Sequence, residues 1–139
     1  MKNHGCTFEY EQQRNRELLR AFREEIVAAR HIVRDEVLER TVNRPCSRFW
    51  VSEDRAAIVM SCMLKGDTLQ NMRPLKREMF NEIFRRFMAL KTKFPAWSIL
   101  KLATDAVNQQ APKFYLTPGS AKVIISRIKR KAKNLRNLL

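Results

Sequence analysis

The chain has 139 residues, 45% apolar and 30% charged, with only three glycines and five prolines; this balance excludes a disordered tail and suits one helical domain with a core of its own. Cys6, Cys46 and Cys62 are odd in number and form no C-x-x-C pair, which argues against a disulfide framework or a zinc site and suits a reducing cytoplasm. The net charge is +14, while the N-terminus has no apolar segment of secretory type and no apolar run is long enough to span a bilayer, so a membrane is not expected as a partner.

Residues 8–41 carry Leu18, Leu19, Phe22, Ile26, Ala29, Val33 and Val37 at spacings of three and four, which predicts helix. Thr7 is placed to cap it, with Glu9 and Glu11 near the positive end of its dipole. A bend near Ala29-Arg30 is compatible with this reading, although no breaker residue demands one. Pro45 closes the run, and Arg48-Phe49-Trp50-Val51 reads as a short extended piece. Ser52 then caps a helix over about 53–65, and Gly66 ends it. Ala56, Ala57, Ile58, Val59, Met60, Met63 and Leu64 make that helix apolar nearly all round, so burial on every side is expected.

Pro74 opens a helix with Leu75, Met79, Phe80, Ile83, Phe84, Phe87 and Leu90 on one stripe, and Pro95 stops it. A shorter helix is predicted over about 96–109. Extended Lys113–Leu116 and the cap Thr117 lead into a last helix over about 118–137. On that helix Ala121, Ile124, Ile125, Ile128, Ala132 and Leu135 share one side, expected to pack. Lys122, Ser126, Lys129, Lys133 and Arg136 form a polar stripe elsewhere, flanked by Arg127 and Arg130.

This second half repeats the first. Asn43–Gly66 and Asn108–Lys131 lie 65 positions apart, and across Val42–Met63 against Val107–Ile128 five of 22 positions are identical. Chance would supply about one or two. The same offset lays Glu17–Phe22 over Glu82–Phe87. The chain therefore reads as a single domain, 1–139, built from two copies of one unit, 8–72 and 73–137. Its expected fold class is all-α: two tandem helix–helix–extended segment–helix repeats around a shared core. Two lone extended segments leave backbone groups unpaired, so a very short two-stranded ribbon between RFWV and KFYL is expected as their solution.

The charge divides unevenly between the copies. Residues 8–72 hold 11 basic and 11 acidic side chains, whereas 73–139 hold 16 basic and 3 acidic. Such asymmetry points to a polyanion, nucleic acid first. Helices 96–109 and 118–137 have the outline of a helix-turn-helix, although the connection is longer than usual. The expected function is a small nucleic-acid-binding protein, with duplex DNA ahead of RNA. Its contacts are expected from Lys113, Thr117, Ser120, Lys122, Ser126, Arg127, Lys129, Arg130, Lys133 and Arg136. Phosphates should dominate, because Ser120, Lys122, Val123 and Ser126 offer little base readout. Phe49-Trp50 and Phe114-Tyr115 could stack on unpaired bases, but the reading preferred for them is structural, with Phe inward and Trp or Tyr at the rim. The rivals are a non-enzymatic assembly protein docking an acidic protein surface, and an RNA-binding part of a ribonucleoprotein. No catalytic constellation, phosphate-cradling loop, metal-ligand set or cofactor motif is legible, so no enzyme activity and no cofactor are expected.

Overall fold

The structure is a computed structural model that describes residues 4–138, with side chains from position 10 onward. It contains α1 (His4–Ala28), α2 (Arg34–Val42), α3 (Glu53–Leu64), α4 (Pro74–Lys93), α5 (Ile99–Val107) and α6 (Pro118–Leu138). The class is all-α, with no sheet among the described residues. None of these helices is long and apolar enough to cross a membrane.

Local chemistry accounts for most helix bounds. The hydroxyls of Ser52, Ser98 and Thr117 accept the backbone N–H groups of Arg55, Lys101 and Ser120 at 3.1, 3.1 and 3.0 Å, each satisfying an orphan donor of a first turn. Pro74 and Pro118 open α4 and α6, where a missing N–H costs nothing. Gly66, with φ 103°, takes the left-handed backbone that ends α3.

Three expectations are corrected at this level. The first helix begins at His4, which puts Thr7 inside it and not at its cap; the side chains of Thr7 and Glu9 lie outside the described residues. The run 8–41 divides into two helices at 29–33, where the bend allowed near Ala29-Arg30 falls and where the Phe94-Pro95 break of the second half aligns, in keeping with the expected helix–helix start of the unit. α5 starts at Ile99 because Ser98 caps it. α3 is buried on one face only: Ala56, Val59 and Met60 are covered, whereas Ile58 is 56% exposed.

Helix packing exchanges partners between the halves. α1 lies on α2 and α4 on α5, but α3 packs on α5 and α4, while α6 packs on α2 and α1. The connections between α2 and α3 and between α5 and α6 meet at the crossing. Cys46 and Ala111 exchange both backbone hydrogen bonds, at 3.0 and 2.9 Å. Phe49 N–H donates to the Val107 carbonyl at 3.0 Å, and Phe114 N–H donates to the Val42 carbonyl at 2.9 Å. Every one of these bonds has its counterpart 65 positions along.

The expected RFWV–KFYL ribbon does not form. One antiparallel bridge, Cys46 with Ala111, takes its place, and the aromatic residues stack instead. Phe49 lies 6.0 Å from Tyr115 and Trp50 lies 6.3 Å from Phe114, centroid to centroid. The left-handed backbone of Tyr115, φ 56°, prevents a continuous strand there. Phe49, Trp50 and Phe114 are buried and Tyr115 is half-buried; these rings belong to the core seam and are not free for bases.

Candidate nucleic-acid interface

α6 is anchored at its start and free at its end. Thr117 accepts from Ser120 N–H at 3.0 Å through its hydroxyl, and its carbonyl accepts from Ala121 N–H at 3.0 Å. Ala121 and Ile125 are then buried, with Ile124 and Ile128 half-buried against the first half. Beyond Ile128 every described side chain is exposed, including Ala132 and Leu135, which the apolar side predicted from sequence had placed in contact. α2, one of the two helices supporting α6, has 9 residues against 21 in α6, so the last turns run past it.

The exposed length is strongly basic. Lys122, Arg127, Lys129, Arg130, Lys131, Lys133 and Arg136 fall within Pro118–Leu138, and no carboxylate does. Among the described residues none of these cations takes part in a salt bridge. Ser120 is exposed and Ser126 half-buried on the same helix. Lys129 sits with its ammonium 5.2 Å from the Phe22 ring centroid, which places a cation where α6 crosses α1.

Two features of the expected site differ from the structure. Lys113 is committed elsewhere: its ammonium meets the Glu78 carboxylate at 2.7 Å and lies 5.4 Å from the Tyr115 centroid. Its charge serves the junction of α4 with the crossing and does not join the α6 surface. Nor do α5 and α6 form a helix-turn-helix, because they make no packing contact with each other. Asn108–Thr117 carries the chain through the crossing, so the helix after it docks on the opposite half.

The neutral half contributes cations that its charge balance conceals. Four of its carboxylates are engaged by neighbouring groups. Glu24 pairs with Arg44 at 2.6 Å, Glu25 with Arg40 at 3.1 Å and Glu53 with Arg48 at 3.5 Å, while Glu17 accepts from Ser47 N–H at 2.9 Å. Arg16, Arg20 and Arg23 stay exposed along one side of α1 and line a shallow groove of about 520 Å³. Arg23 and Arg34 also rim a cleft of about 530 Å³ with Lys129, floored by Phe22, Ile26, Val27 and Ile32. The spacing of Arg16, Arg20 and Arg23 is the signal that could have found them, since four and three positions apart is one helical face.

Near the crossing the titratable groups are held neutral or internally paired. Burial pushes the Tyr115 hydroxyl up to about 12, helped by the carboxylates of Glu82 and Glu78. Arg85 and Arg86 hold the Glu82 carboxyl below its ordinary value. Among the described residues no three His, Cys, Asp or Glu side chains cluster as a metal site would require. Compared with known proteins, the chain matches no family model, no curated protein and no solved structure.

Proposed function

We propose that the protein binds nucleic acid, duplex DNA ahead of RNA, through the exposed length of α6 with help from the cations of α1. One observation carries this reading: seven α6 cations are unaccompanied by any carboxylate on that helix, and among the described residues none of them is paired in a salt bridge. Phosphates are the anions such a surface accommodates best. A lone projecting helix, about 10–12 Å across, fits the B-form major groove of about 12 Å, whereas the A-form major groove is too narrow. Phosphate contacts position a protein without reading sequence, so base preference is expected to be modest. The assembly-protein reading keeps one specific support, the apolar floor of the Phe22–Ile32 cleft beneath Arg23, Arg34 and Lys129.

Replacing Lys122, Lys129 and Lys133 together with Ala tests the proposal. Alanine is a good helix former and all three side chains are exposed, so the melting temperature should change little. Salt titrations on two unrelated duplexes should show the slope of log K against log salt falling in magnitude by roughly 2–3, at about 0.9 per neutralised phosphate. The loss should be similar on both duplexes. An unchanged slope removes α6 from the interface, and no affinity for either duplex at low salt ends the reading in favour of an acidic protein partner.

A further inference from the structure

Away from α6, we propose that Phe94 and Trp97 form a stacking platform for the unpaired bases of single-stranded nucleic acid. Their rings are nearly parallel, with centroids 4.1 Å apart and planes inclined by 6°. The turn that presents them is held by the backbone. Phe94 N–H donates to the Leu90 carbonyl at 2.8 Å, and Trp97 N–H donates to the Phe94 carbonyl at 3.0 Å. Pro95 stiffens the turn and Ser98 caps the next helix, so the ring pair is pre-organised. Phe94 nevertheless stays 39% exposed. Ile99 and Leu100, also exposed, widen the apolar surface beside it.

The charge around the pair matches a phosphate backbone. Lys101 holds its ammonium 4.3 Å from the Trp97 centroid, and Lys91 and Lys93 stand in the last turn of α4. Between Arg86 and Asp105 the chain carries three cations, Lys91, Lys93 and Lys101, and no carboxylate, while Glu82 is engaged by Arg85 and Arg86 at 2.6 and 2.8 Å. Aromatic faces flanked by cations are what sequence-tolerant binding of unpaired bases requires. A base stacks on the open side of Phe94, or takes the place of Lys101 over Trp97 while that flexible ammonium turns to the neighbouring phosphate. The surface is separate from the α6 interface, since neither α4 nor α5 packs against α6. The first half has no equivalent, because Ala29 and Ile32 stand where Phe94 and Trp97 do.

Tryptophan emission reads the platform directly, since the other tryptophan, Trp50, is buried in the core seam. A short oligo-dT added to the protein should quench emission, and should do so equally with the Lys122, Lys129 and Lys133 triple alanine variant. Phe94→Ala should raise the oligo-dT Kd roughly tenfold, with duplex affinity and melting temperature retained. Phe94→Leu, which keeps an apolar contact on Trp97, should show the same loss. An abasic oligomer of equal length should quench far less. The proposal is overturned if oligo-dT leaves the emission unchanged, if abasic oligomer or polyglutamate quenches as strongly, or if both Phe94 variants keep the wild-type Kd. The α6 reading is judged on the duplex arm alone, so the two can fail separately.

Discussion

Met60 and Ile58 sit two positions apart on α3 and meet opposite surroundings, one fully buried and the other 56% exposed. Met60 is fully covered, and an unpaired lysine charge in that position costs roughly 3–5 kcal/mol. Met60→Lys should therefore lower the melting temperature by roughly ten degrees or more, whereas Ile58→Lys should stay within about 0.5 kcal/mol of wild type. Thermal melts of both variants check the pair, and equal losses would mean that α3 is covered all round. The run Ala56–Leu64 did not reveal this difference. Composition counts apolar side chains but does not say where their cover comes from, and α3 receives its cover from α4 and α5. Lys113 teaches the same lesson for charge. Its partner Glu78 belongs to a different helix, and no local pattern announces it.

At the scale of the helix, α6 combines a legible beginning with an end that could not be read. Thr117, Pro118 and the Ala121/Ile125 seam behave as their chemistry predicts. Ala132 and Leu135 continue that apolar side in sequence but find nothing to pack against. At about 1.5 Å per residue, α6 is roughly 18 Å longer than α2, a mismatch of lengths that periodicity does not contain. Ending the chain after Arg130 should therefore leave the melting temperature nearly unchanged, because no described side chain past Ile128 is buried. The same truncation removes Lys131, Lys133 and Arg136, and the salt slope on duplex DNA should fall in magnitude by roughly 2–3. A large drop in melting temperature would instead show the final turns to be structural.

Over the whole molecule the all-α class and most helix bounds were legible from caps, prolines and spacing. The exchange of partners was not. Local signals suggested that α5 and α6 would pack as neighbours, yet the bonds of Cys46 with Ala111, Phe49 with Val107 and Phe114 with Val42 join positions far apart in the chain. We read the chain as two copies of one unit, each completing the other's core. Two separate chains, 1–72 and 73–139, should then each lack a cooperative melt alone and regain one when mixed in equal amounts, as circular dichroism can follow. Cooperative melting of either piece by itself would count against interdependent halves.

The exchange also misleads any attempt to map binding by deletion. α6 rests on α1 and α2, so removing the first half would take away the mount of the basic helix along with its partner. With the interface on α6 as proposed, binding would vanish, and a deletion map would assign it to the half with no net charge. Point substitutions on exposed cations are free of this error, because they leave the mount in place.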